Sequence, residues 1–287
     1  MLLPAFLLLG KLIIKEGFLM SIVSKEDAIK LLDRFDPEVA DLLHAEEERQ
    51  FRTIGLIASE NIVSPIASCL EGCVFTNKNT EGYPGKRFVG GCENSDKAEL
   101  LGLERLKKLF GVEHANMQSG NATIANMAVL TGLLNPGDVL LGMNLSDGGH
   151  LSHGAKFHYS GREFQAYHYG LNRETERIDM EQVRSLALEH RPRIIVCGAS
   201  SYPRLIDYAA FRAIADEVGA YLWVDCAHDI GLVAGGAIPS PVPYADVVAV
   251  RSTEELDVLL DEIRTYGGSR TFVKLKTVFS NKEILLP

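Results

Sequence analysis

From residue 95 onward, short apolar runs alternate with amphipathic stretches. The pattern predicts a helix over 96–110, closed by Gly111, and another over 123–134, stopped before Pro136 and Gly137. Residues 139–142 read as a short buried strand. A helix at about 179–190 precedes a strand at 194–196, and a helix at about 208–218 ends at Gly219 and leads into a strand at 221–224. Residues 247–250 form a further apolar run. Strands alternating with helices predict a largely parallel sheet covered on both faces.

The flanks differ. Ser24-Lys25-Glu26-Asp27 has capping-box form before a short apolar face, and Asp36-Pro37 opens a second helix to about Phe51. Residues 56–94 are rich in Gly, Asn, Ser and Pro without a period and read mainly as loop. Loops of that length in compact domains are usually functional. Residues 253–264 read as an amphipathic helix and 271–274 as a strand. The division expected is an appended or mis-assigned apolar segment at 1–20, a helical arm at 21–55, a large domain at 56–250 and an atypical tail at 251–287.

Composition narrows the field. The net charge of −9, with no basic run, argues against nucleic-acid binding. The first apolar run is too short to span a bilayer, and its positive charges follow it rather than precede it, so no membrane role is expected. The odd count of 5 cysteines suits reduced thiols in a cytoplasmic protein. Cys69 and Cys73 lack companions at metal-site spacing, so no metal is expected.

Several polar residues stand where this pattern puts ligand sites. The apolar run 221–224 ends in Asp225, and His228 follows. A carboxylate at the carboxyl end of a buried strand suits a protonated pyridine nitrogen, and equally suits a helix cap or turn. His150 and His153 lie in the glycine-flanked run Gly148-Gly149-His150-Leu151-Ser152-His153-Gly154, where an imidazole can stack on a planar ring or move a proton. Gln118-Ser119-Gly120-Asn121-Ala122-Thr123 precedes a helix and suits an anion such as phosphate, or an ordinary cap. Thr80-Glu81-Gly82-Tyr83-Pro84-Gly85-Lys86-Arg87 packs acid, base and phenol between turn residues, which suggests acid/base chemistry and carboxylate binding.

Together LIASEN (56–61), TEGYPGKR (80–87), GMNLSDGGHLSHG (142–154), VDCAHDIGLVAGG (224–236) and PSPVPYADVV (239–248) resemble serine hydroxymethyltransferase over roughly residues 24–250. The resemblance implies a pyridoxal 5'-phosphate (PLP) enzyme of the aspartate-aminotransferase fold. Its large α/β domain would be present and its small C-terminal domain largely missing. It implies that His150 stacks on the pyridine ring, that Asp225 pairs with the ring nitrogen, and that Ser200 and His228 lie near the ring. Asn121 and Thr123 would bind the phosphate, Glu81 would be the acid/base group, and Ser59 would touch the substrate carboxylate. The reaction implied interconverts serine and glycine with tetrahydrofolate, in a homodimer or a dimer with a full-length homologue.

The chain departs from the family at Asn79 and Val89, where aromatic residues are expected, and SGNAT stands displaced by about two positions from the usual phosphate segment. After PVPYADVV the family continues to a His-Lys-Thr run, whereas this chain reads Ala249-Val250-Arg251-Ser252-Thr253-Glu254. Glu254 stands where the lysine is expected, and a glutamate cannot form a Schiff base. The expectation is therefore non-covalent PLP binding at best and impaired catalysis. The alternatives are a non-catalytic member that binds PLP or pairs with an intact homologue, a poorly folding gene remnant, and a threonine-aldolase-type lyase on the same fold.

Overall fold

A computed structural model describes residues 25–57, 60, 62–71, 73–251 and 271–275. Ser59, Glu254 and the helix expected at 253–264 lie outside the described residues.

In chain order the helices are α1 (Lys25–Phe35), α2 (Pro37–Arg52), α3 (Pro65–Glu71), α4 (Glu93–Phe110), α5 (Ala122–Leu133), α6 (Tyr159–Glu163), α7 (Met180–His190), α8 (Tyr208–Val218) and α9 (Ile230–Ala234). The strands are β1 (Gly82–Tyr83), β2 (Lys86–Arg87), β3 (Val139–Met143), β4 (Gln165–Tyr169), β5 (Leu171–Asn172), β6 (Arg177–Ile178), β7 (Ile194–Gly198), β8 (Tyr221–Asp225), β9 (Val247–Arg251) and β10 (Thr271–Leu275). One six-stranded sheet has the order β10-β9-β8-β7-β3-β4, parallel except for β10 at one edge.

The period of two explains how the sheet carries helices on both faces. Leu141, Met143, Ile195, Cys197, Leu222, Val224, Val248 and Val250 point to one face, where Val183 of α7 and Phe211 of α8 cover them. Leu140, Ile194, Val196, Trp223, Val247 and Ala249 point to the other, against Ala125, Val129, Leu130 and Leu133 of α5. Burying each such aliphatic side chain contributes about 1.5–3 kcal/mol before entropy is counted. Asp225, one step beyond Val224, falls on the α5 side.

Local chemistry sets the helix ends. The Asp36 side chain accepts from the Val39 N–H, and Gly111 takes a left-handed φ of 62° beyond α4. The stretch 56–94 is more structured than a loop: it contains α3, a 3₁₀ turn at Val74–Asn77 and the β1–β2 hairpin. The edge strand β4 has no sequence forecast, because Gln165-Ala166-Tyr167-His168-Tyr169 is half-buried and lacks the apolar run of its neighbours. Among the described residues no helix is long and apolar enough to cross a membrane.

Candidate functional site

The chain lays down β3, moves outward to β4, then returns to β7 on the other side of β3. In open α/β sheets a ligand crevice lies beyond the strand carboxyl ends where the winding reverses. The segments leaving β3, β7 and β8 meet the N-terminus of α5 there, around a cavity of about 230 Å³. Its lining includes Asn121, Thr123, His150, Ser200, Asp225 and His228, the full set of residues expected to hold a cofactor. Among the described residues lining it there is no lysine.

Glycines let the segments approach. A Cβ on Gly198, whose φ is +148°, would sit 2.2 Å from the Asp225 carbonyl oxygen. One on Gly149 would sit 2.2 Å from the Met143 carbonyl oxygen. The Gly148 carbonyl accepts from both Ser200 N (2.7 Å) and Ser201 N (3.2 Å), which ties the segment after β3 to the segment after β7.

At the α5 end, Asn121 is the N-cap, its Oδ1 accepting from Ile124 N at 2.9 Å. The N–H groups of Ala122 and Thr123, at the first two helical positions, have no carbonyl inside the helix to bond. They face the cavity lining with the dipole's positive end, which suits an anion. The N-cap and the helix start suited to an anion are thus adjoining residues.

Asp225 is 9% exposed. Its Oδ2 accepts from His153 Nε2 (2.9 Å) and Asn126 Nδ2 (2.8 Å), and its Oδ1 accepts from Ala227 N (3.2 Å). Burial pushes this carboxyl up, but the hydrogen bond and charge of His153, with the Asn126 bond, outweigh it and hold the group below its ordinary value. It is an anion at neutral pH, as a partner for a protonated ring nitrogen must be. His150 is held below its ordinary value by burial first and by the neighbouring His153 second, so it presents a neutral ring. His228 lines the cavity with its Nδ1 buried and lacking a partner among the described residues. His150, His153 and Asp225 also place candidate metal-ligating atoms within 4.8 Å of one another. The 2.9 Å His153–Asp225 bond and the 2.7 Å Ser152–His150 bond account for that closeness without an ion.

Two residues of the 80–87 segment lie away from the cavity. Glu81 is exposed on the β1–β2 hairpin and does not line the cavity. Arg87, in the segment read as suited to acid/base chemistry and carboxylate binding, is spent inside the molecule. Its guanidinium, 5% exposed, pairs with Asp96 (2.7 Å) and Glu99 (2.6 Å) of α4 and donates to the Thr80 and Gly82 carbonyls. Gln118 Nε2 also donates to the Gly82 carbonyl (3.1 Å), linking the hairpin to the segment before α5. Asn126 and Ser152, which carry no assigned role, hold the site together with His153, whose imidazole is spent on Asp225. A lone asparagine inside the apolar run Ile124-Ala125-Asn126-Met127-Ala128-Val129 is the signal that marks the first of them.

A parallel α/β sheet with a helix start suited to an anion, a neutral imidazole and a buried carboxylate around one crevice is the arrangement of the large domain of a PLP-type protein. Comparison with known proteins agrees: the serine hydroxymethyltransferase family profile matches residues 32–257. A serine hydroxymethyltransferase from Synechococcus sp. (strain JA-3-3Ab) is 52% identical over 230 residues, 80% of this chain and 53% of that protein. The chain belongs to the serine hydroxymethyltransferase family, whose members are PLP-dependent enzymes of the aspartate-aminotransferase fold. It spans about half the length of the relative it matches.

Proposed function

We propose that this chain binds PLP without a covalent anchor and is impaired in interconverting serine and glycine with tetrahydrofolate. The observation that carries this reading is the convergence of Asn121, Thr123, His150, Ser200, Asp225 and His228 on one cavity. When bound, PLP supplies an electron sink for bonds at the amino-acid α-carbon. The protein's own contributions follow from its residues. The free N–H groups at the start of α5 and the Thr123 hydroxyl bind the phosphate. The neutral His150 ring offers a flat face for stacking. Asp225 holds a proton at the ring nitrogen, and His228 offers to a ring substituent its Nδ1, which has no partner among the described residues. No amine stands at position 254 to anchor the aldehyde, since Glu254 occupies it.

Two partner statements belong to the same reading. Phe35, Leu42, Phe51, Ile54, Leu56 and Ile62 are all 70% exposed or more, which suits an interface with a second copy or a full-length homologue. Glu81 would then serve substrate and folate in the neighbour's site. Cys73, Cys92, Cys197 and Cys226 are not joined in disulfides, which suits the cytoplasm.

The test is titration of the purified chain with PLP, followed by borohydride and mass spectrometry. Saturable quenching of the single tryptophan with no reduced adduct is expected. Absence of binding overturns the reading. A stable adduct on Lys274 or Lys276, or turnover of serine with tetrahydrofolate, overturns the impairment.

A further inference from the structure

Beneath the cavity, Asn126 and Ser152 are each 0% exposed. Asn126 Nδ2 donates one hydrogen to Asp225 Oδ2 and the other to Ser152 Oγ, both at 2.8 Å. With its oxygen receiving that hydrogen, the Ser152 hydroxyl directs its own proton to His150 Nδ1, 2.7 Å away. The Ser152 backbone N–H points to the same nitrogen at 3.2 Å. The amide orientation is dictated by Asp225: reversed, the Asn126 oxygen would face a carboxylate oxygen. The cost is visible, because Asn126 Oδ1 has no partner among the described residues.

From this chain of donors we propose that Asn126 and Ser152 are positioning residues that tie the state of His150 to that of Asp225. The carboxylate orients the amide, the amide orients the hydroxyl, and the hydroxyl fixes the neutral His150 ring as its Nε2–H tautomer. The ring that would lie on the cofactor's face and the carboxylate at its nitrogen are thus set by one buried relay. The bearing on cofactor affinity rests on the PLP reading above; the tautomer does not.

Asn126→Asp is the discriminating variant, since it replaces the donor by an acceptor of the same shape. The Ser152 hydroxyl must then turn toward position 126, leaving its oxygen to accept from His150. Nitrogen-15 NMR of the histidine rings in the full chain, at a pH where His150 is neutral, reads the result. The parent is expected to show Nε2–H at His150, Asn126→Asp to show Nδ1–H, and Asn126→Asp with Ser152→Ala to return to Nε2–H. An Nδ1–H ring in the parent, or the same tautomer in the parent and in Asn126→Asp, overturns the inference. In PLP titrations Ser152→Ala is expected to weaken binding roughly tenfold and Ser152→Thr to restore it, as for residues that orient a ligating group. Equal affinity in the parent and Ser152→Ala also overturns it. If Asn126→Asp does not fold, the parent tautomer and the Ser152 pair decide. If PLP fails to bind the parent, the proposed function falls while the parent and Asn126→Asp tautomers still decide this inference.

Discussion

The region from α5 to β9 and the region from α1 to the β1–β2 hairpin are built on opposite terms. The first completes itself: its central strands are buried on both faces, and its central carboxylate has three donors. The second leaves large apolar side chains such as Phe51 and Leu56 in solvent, and its one tightly packed feature, Arg87, is pinned to α4. A site can be preorganised inside one chain while the surface that completes it waits for another.

The same substitution in both regions gives the sharpest contrast. Gly198→Ala would force a Cβ to 2.2 Å from the Asp225 carbonyl oxygen at a φ of +148°, and is expected to cost more than about 3 kcal/mol. Gly85→Ala, with nothing within 4 Å of the added Cβ, is expected to cost about 1 kcal/mol from its φ of +74° alone. Urea melts measure both, and comparable losses would break the contrast.

Next in size is Arg87→Ala, which strands the half-buried Asp96 and the buried Glu99 and is expected to cost about 2–3 kcal/mol. Arg87→Lys should recover little, because one ammonium cannot span both carboxylates and two carbonyls. Full rescue in a urea melt would show that charge alone, not the fork, anchors the hairpin.

A smaller effect concerns acid. His150, His158 and His168 are each held below the ordinary histidine value of 6.5, chiefly by burial. Between that value and their folded values the unfolded chain binds more protons, so stability is fully present above pH 6.5 and declines as pH falls below it. His153, His228 and Asp225 surround His150, and Asp225 stays ionised through this window because its own value is lowered. His150→Gln should make the decline shallower by a fraction of a kcal/mol in thermal melts across pH 5–7, and an unchanged slope would remove His150 from the account.

Smallest of all on folding is Phe51→Ser, expected to shift stability by under about 0.5 kcal/mol because the ring is already 88% exposed. Its effect should appear in sedimentation as weaker self-association. A large loss of stability would mean that the ring is buried in the isolated chain.

How much of this was legible in the sequence depends on the kind of signal. Apolar runs such as Ile194-Ile195-Val196 locate the central strands because burial on both faces needs nothing else. The edge strand β4 escapes, since one open edge relaxes that demand. His150 and Asp225 were legible through glycine-flanked and strand-end positions and Asn121 and Thr123 through a helix start, whereas Ser200 came only from the resemblance. Asn126 and Ser152 were not, because their roles depend on which atom of each side chain faces the other, and spacing carries no such information. Arg87 misleads for a related reason: the sequence shows a guanidinium in a loop but not the two carboxylates of α4 that have claimed it.

The Gly148 carbonyl, shared by the N–H groups of Ser200 and Ser201, has a consequence for how this protein can change. Two segments more than 50 residues apart hang from one oxygen, so an insertion or deletion in either is transmitted to the other's backbone. Variation in the two segments should therefore be epistatic, with changes in the His150 loop tolerated or rejected according to the length and geometry of the segment carrying Ser200. A library randomising both together would contain functional pairs that neither single library could reach.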